Sequence, residues 1–387
     1  MHDTIIAGGG PAGLSAAEAL ARRGKSVLVL EQNYEIGSPI RTSGGSFIAE
    51  LEKLGIPDRL YHPISRVRFA TPNNSAVFEY ARPVLCILDV RSTFQYLAER
   101  AIEAGAAIRL STTAVAPILA DHRVTGVRTR ADSLACRILI DATGYRATLL
   151  KQSGLDPGFS RFGVGAEYDL VAPHWDQSEA VLAVGDRIAP SGYAWIFPWG
   201  RHRVRAGVGI IHPDSRANPD DFLDRFIASY DGLRGAQPVE HHSGLIPSEQ
   251  FAKTFTGNGI VGVGDAAGHA SSLVGEGIRW AIEAGRMAGD AAADALDRGD
   301  VSRAALLAFE KQWRKKFGAD LRLAYRINQR IARWDDRKWD ERLEIVKLLT
   351  PFQFAEALKS NFTGGWLWRF LASNPHALAH AARLKTS

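Results

Sequence analysis

The stretch Thr4-Ile5-Ile6-Ala7-Gly8-Gly9-Gly10-Pro11-Ala12-Gly13-Leu14, continued to Glu31, decides the fold. Thr4 to Ala7 reads as a short buried strand, Gly8 to Gly13 as a tight turn, Leu14 to Arg23 as an Ala-rich helix, and Ser26 to Leu30 as a second strand. This is a βαβ unit with a dinucleotide fingerprint. Gly8 permits the sharp turn, Gly10 lets the backbone approach a pyrophosphate, and Gly13 allows helix and strand to pack closely. The free N–H groups and dipole of the helix start face the anion. Glu31 closes the second strand. A carboxylate there, roughly 20 residues past the glycines, accepts hydrogen bonds from ribose hydroxyls and repels a 2′-phosphate.

With 387 residues, 46% of them hydrophobic and 23% charged, the chain buries a large core and is expected to fold as two or three lobes. Cys86 and Cys136 belong to no CxxC pair and read as reduced, buried thiols rather than metal ligands. The first strand begins almost at Met1 and no run of 18 apolar residues is present, so the expected location is cytoplasmic, with at most a peripheral contact to a membrane. Charge is uneven: residues 301 to 387 hold 17 Lys plus Arg against 8 Asp plus Glu. That basic end is either a solvated helical surface or a region attracted to anionic lipid or a phosphate-bearing substrate. No nucleic-acid recognition module accompanies it.

Beyond Glu31, the segment Gly37 to Ser46 is a Gly/Ser/Pro loop expected to lie over a flat ligand, with Arg41 able to reach a phosphate or ribose. Ser92 reads as the N-cap of a helix running to Ala104, which puts Arg91 at a helix start. Strands follow at 106–110 and 126–129, and Arg137 to Asp141 is a buried strand that enters the turn Asp141-Ala142-Thr143-Gly144. From Phe162 to Glu249 the pattern changes to antiparallel β, with strands expected at 161–169, 180–184, 193–198 and 204–211. The nucleotide-binding pattern then returns. Gly259 to Gly264 is an apolar strand, Asp265 to Gly268 a turn, and Gly275-Glu276-Gly277 opens a long Ala-rich helix. The expected division is a discontinuous nucleotide-binding domain (1–60, 85–155, 255–300), an antiparallel-sheet domain (61–84, 156–254) and a helical part (301–387).

Together these segments resemble the FAD-binding α/β (Rossmann) proteins of the glutathione-reductase type, in the branch that includes the aromatic-ring hydroxylases. Two further stretches, Gly192-Tyr193-Ala194-Trp195-Ile196-Phe197-Pro198 and Leu273-Val274-Gly275-Glu276-Gly277-Ile278, resemble the geranylgeranyl reductase family. The resemblance implies FAD, with Gly8, Gly10, Ala12 and Gly13 at its pyrophosphate, Glu31 at the adenosine ribose, Arg91 at the nucleotide end and Val115 near the adenine. It further implies Arg41, Thr42 and Gly44 near the flavin half, Asp265 at the ribityl and pyrophosphate region, and Gly277 and Ile278 at the flavin pyrimidine. Archaeal lipid reductases of this family commonly carry a Cys after the loop Arg. This chain has Arg41-Thr42-Ser43 instead, so a role for that thiol is absent.

The activity implied is reduction of carbon-carbon double bonds in an isoprenoid chain, with Tyr193, Trp195 and Phe197 lining the channel. An external donor, NAD(P)H or a ferredoxin, would supply electrons. Tyr193, or a water near Thr42 or Ser43, stands as proton donor, while His241-His242 reads as a solvated loop feature. The alternatives are an FAD monooxygenase acting on an apolar or aromatic metabolite, which shares the scaffold, and a flavin-carrying electron-transfer protein. The aromatics between Phe352 and Phe370 are expected at the channel's outer end or on a membrane surface.

Overall fold

The computed structural model describes residues 1–362. Its first sheet runs in the order Thr256–Gly257, Ile260–Gly262, Ser133–Asp141, His2–Ala7, Val27–Leu30 and Ala107–Arg109. The four central strands are parallel, in a register that pairs Ile6 with Val29 on one side and with Ile140 on the other, and Leu139 with Ile260. Such strands are covered on both faces, which is why Val27–Leu30 is apolar throughout and wholly buried.

The helix Pro11–Arg22 packs on this sheet, and Ile278–Asp297 packs on that helix. Their approach depends on small residues: a Cβ at Gly285 would stand 2.2 Å from the Ala12 carbonyl oxygen, and one at Gly289 2.7 Å from the Ala19 Cβ. Asp89, not Ser92, caps the helix Val90–Glu103, because its carboxylate accepts the Ser92 N–H at 3.1 Å.

The second sheet has seven strands, in the order Gln237–Pro247, Phe162–Val171, Arg203–His212, Ala189–Trp199, Glu179–Gly185, Arg66–Ala70 and Ser75–Glu79. All neighbours are antiparallel except Glu179–Gly185 with Arg66–Ala70, where the chain returns from the first sheet. Period-2 alternation sorts its side chains. Ala166, Val181, Ile196, Val208 and Ile210 pack under the helix Asp220–Ala228 through Leu223 and Phe226. The opposite face carries Glu167, Leu182, Tyr193, Trp195 and His242 and turns toward the first sheet.

One long helix, Arg303–Ile331, spans both regions. Near its start Glu310 accepts the Phe255 N–H and the Thr256 hydroxyl, beside the first sheet. Near its end Asn328 accepts from Arg161, which leads into the second. The helices Asp336–Val346 and Pro351–Leu358 complete the described chain, and Trp366, Trp368 and Phe370 lie outside it.

Candidate active site

Between the two sheets lies a cavity of about 850 Å3. At one end it is bounded by the Gly8 to Ala12 turn, Glu31 and Thr112 to Val115; it passes Arg41 to Ser43 and Asp265, and reaches the second sheet at Tyr193 and Trp195. Beyond these it continues as an apolar pocket formed by Phe69, Leu182, Val184, Trp334, Trp339 and Phe354.

The turn is built by close backbone approach. Gly8 has φ +119°, and a Cβ there would stand 2.1 Å from the Ala142 carbonyl oxygen, while one on Gly13 would stand 2.0 Å from the Gly8 oxygen. At Gly10 a Cβ would meet nothing within 4 Å, so the surface facing the cavity is open. The helix starts at Pro11 and Ile278 have glycine N-caps, Gly10 and Gly277, and no side-chain cap. Both helix ends therefore present free N–H groups at the cavity wall.

Two carboxylates behave differently here. Glu31 accepts the N–H of Gly9 at 2.8 Å and both the N–H and amide of Asn33 at 2.8 Å, so it fixes the turn as well as facing the cavity. Asp265 also faces the cavity, but its carboxylate receives no hydrogen bond among the described residues, and burial pushes its carboxyl up to about 6. A ligand bearing hydroxyl groups satisfies such a carboxylate. Open glycine, two uncapped helix ends and an unpartnered acid form a donor and acceptor set that fits FAD. Among the described residues no group of His, Cys, Asp or Glu could hold a metal ion.

The loop at Arg41 to Gly45 is held from beneath by Arg205, which is fully buried and donates to the carbonyls of Ser43 and Leu88, both at 2.9 Å. Thr42 and Ser43 line the cavity; Gly44 lies below them, against Val90 and Leu88. Gly13, likewise, is packed in the turn rather than exposed to the cavity. Two expected positions fall elsewhere. Arg91 is not itself part of the cavity lining; its backbone packs on Gly37, which is, and its buried Nε, 3.7 Å from Glu35, has no hydrogen-bond partner among the described residues. Phe197 lies two residues past Trp195, where its ring packs on Gly45 rather than the cavity. Val115, Asp265, Gly277 and Ile278 do line it.

The aromatic strand is organised by a feature that only the cross-strand register reveals. Trp195 is opposite Gly207, Gly207 is opposite Glu167, and Glu167 is opposite His242, so these four form one row across the sheet. Because Gly207 has no side chain, the indole lies over it, with Cζ2 only 2.3 Å from where a Cβ would be, and Trp195 Nε1 donates to Glu167 Oε2 at 2.6 Å. In the next row Tyr193 is followed by Gly209, Gly165 and Gly244, a floor without side chains. Tyr193 donates its hydroxyl to the Val274 carbonyl, and burial raises its pKa.

His242 corrects an expectation. It is on a strand, not in a loop, and only 6% exposed, with its ring between Glu167 and Glu240. His241, on the other face, is exposed and meets Asp220. Both thiols are buried, and burial pushes Cys136 up to about 12 and raises Cys86 as well, so neither serves as a nucleophile.

Residues 162–246 match the model of the geranylgeranyl reductase catalytic domain, and residues 3–161 that of the FAD dependent oxidoreductases. Digeranylgeranylglycerophospholipid reductase 2 of Methanothermobacter thermautotrophicus is 33% identical over 89% of this chain and 92% of its own. The chain belongs to the geranylgeranyl reductase family. It is an FAD-dependent oxidoreductase. A second family member, the digeranylgeranylglycerophospholipid reductase of Methanosphaerula palustris, is 31% identical over 93% of this chain and 95% of its own. Among solved structures, a geranylgeranyl bacteriochlorophyll reductase-like protein from Thermoplasma acidophilum superposes with TM-score 0.87 at 24% identity, covering 99% of both chains. A probable FAD-dependent monooxygenase from Pseudomonas aeruginosa shares the fold more loosely, with TM-score 0.65 at 17% identity over 89% of this chain and 99% of its own.

Proposed function

We propose that this enzyme saturates carbon-carbon double bonds of an isoprenoid lipid. The observation that carries this reading is the apolar extension of the cofactor cavity from Trp195 to Phe354, a wall that can bind a long hydrocarbon chain and exclude water. The names of the relatives support it. Gly8, Gly10 and Ala12, with the helix start behind them, bind the FAD pyrophosphate; Glu31 takes the adenosine ribose, Val115 borders the adenine, and Asp265 receives the ribityl hydroxyls. The uncapped helix at Gly277 and Ile278 favours negative charge at the flavin pyrimidine. Bound FAD, when reduced, supplies a hydride to the alkene, and the chain's part is to orient the alkene in a dry channel beside Tyr193 and Trp195.

An external carrier, NAD(P)H or a ferredoxin, delivers the electrons. At the far end Phe352 is 60% exposed beside Lys347 and Leu348, and this edge, together with the basic charge of the C-terminal region, supports peripheral contact with an anionic lipid surface. Among the described residues no helix is long and apolar enough to cross a membrane. The test is anaerobic reduction of the holoenzyme, followed by separate exposure to O2 and to a digeranylgeranylglycerophospholipid in detergent. Reoxidation by the lipid with saturation of its chains is expected. Substrate hydroxylation with O2 and no reaction with the lipid would overturn the reading.

A further inference from the structure

Saturating a double bond requires a proton as well as a hydride, and the row across the second sheet carries groups able to deliver one. Trp195 Nε1 is only a donor, so Glu167 Oε2 accepts from it, leaving Oε1 to face His242 Nδ1 at 3.1 Å. On the other side of the ring, His242 Nε2 meets Glu240 Oε2 at 2.8 Å. An imidazole can donate to two carboxylates at once only as the imidazolium. The three groups thus form a line with one mobile proton between two acids. Its two ends differ. Glu240 has a side chain 43% exposed, whereas Glu167 is buried and, with His242 and Trp195, lines the cavity.

We propose that Glu240, His242 and Glu167 form a proton relay from solvent to the reacting alkene. This rests on the reading of the enzyme as an alkene reductase. With hydride supplied at one carbon of the double bond by the cofactor when bound, the His242 imidazolium would pass its Nδ1 proton to Glu167, and the electron pair of the π bond would take that proton from the Glu167 carboxyl group at the other carbon. The ring is left neutral, with its remaining proton on Nε2 against Glu240, and a proton from water at the exposed end restores the imidazolium. One hydride and one proton are consumed for each bond saturated, and the relay returns to its starting state.

The surrounding charges suit this direction of transfer. Arg91 and Arg203 lie near enough to Glu240 to favour its carboxylate, although its bond to His242 is the larger cause of its lowered pKa. Burial opposes charge on His242, but the two carboxylates outweigh it and the pKa rises. In the adjoining row Asp169 is engaged by Arg203 and by the Trp199 indole, so it does not compete for His242. Tyr193, the other polar group at this wall, is committed to the Val274 carbonyl and its acidity is suppressed by burial and by the charge of Glu167. Glu167 is therefore the acid beside the alkene and Trp195 the donor that orients it.

Two measurements test the relay. In holoenzyme labelled with 15N in the histidine rings, the signals absent from His242→Asn should show both ring nitrogens protonated at pH 7, and Glu167→Gln should convert them to a neutral ring. In single turnover of the reduced holoenzyme with a digeranylgeranylglycerophospholipid, Glu167→Gln and His242→Asn should slow saturation about 10²-fold or more at unchanged FAD content. Glu240→Gln, at the exposed end, should slow it less and shift the pH profile. A neutral His242 in the wild type, or saturation within twofold of wild type in both buried variants, would sink the relay. Loss of FAD in proportion to the loss of rate would make these residues structural and also overturn it. Failure of the wild type itself on the lipid would instead strike the assigned reaction, while the nitrogen signals still decide whether His242 carries the proton.

Discussion

Glycine brings two different partners close in the two halves of this molecule. In the Gly8 to Gly13 turn it lets backbone pack on backbone, so that an anion can approach free N–H groups across Gly10. In the second sheet Gly207 lets a side chain of its own neighbour strand lie flat, carrying the Trp195 indole over one strand to Glu167 on the next. The first arrangement is local in sequence and the second is assembled by register. The contrast separates cofactor retention from the handling of substrate.

The largest expected effects come from placing the same methyl group in each half. Gly8→Ala forces a Cβ into the Ala142 carbonyl at positive φ, which should cost more than about 3 kcal/mol and leave the purified protein without FAD. Gly207→Ala meets three atoms of the indole, breaks its bond to Glu167 and should keep the flavin absorbance while lowering turnover about 10²-fold. Equal loss of FAD in both variants would erase the distinction between the halves.

A smaller effect sharpens the cofactor side. The Asp265 carboxyl sits at about 6, above the ordinary value of 3.8, because burial disfavours its charge. Between these two values the folded protein binds more protons than the unfolded chain, so this residue makes stability fall as pH rises, with the full penalty present above pH 6. Asp265→Asn should therefore stabilise the FAD-free protein by roughly 1 to 3 kcal/mol at pH 8 and by almost nothing at pH 4. The same substitution should weaken FAD binding. Thermal unfolding at the two pH values, and flavin content, read both; equal stabilisation at pH 4 and 8 would show that the carboxyl is not held uncharged.

The first sheet was legible because its signals are contiguous: an apolar tetrapeptide, a Gly-rich turn and an acidic strand end lie within Thr4 to Glu31. The aromatic strand was legible as a strand, and the alternation at Tyr193, Trp195 and Phe197 placed all three on one face. It could not show that Phe197 packs on Gly45 of a distant loop instead of lining the cavity. His242 was hidden for a related reason. Adjacent histidines in a polar stretch resemble a surface loop, and only pairing of the strand Gln237–Pro247 with Phe162–Val171 sends His242 inward and His241 outward.

The helix Arg303–Ile331 has a consequence for the space between the two sheets. Glu310 is anchored beside the nucleotide sheet and Asn328 beside the second, and the 18 residue steps from one to the other correspond to about five turns, or about 27 Å. Because a helix resists stretching, it acts as a gauge block between the two bodies of the enzyme, and Asn328, Ile331 and Ala332 at its far end belong to the cavity wall. The spacing of the two sheets on either side of the cavity is then held by a fixed number of helical turns.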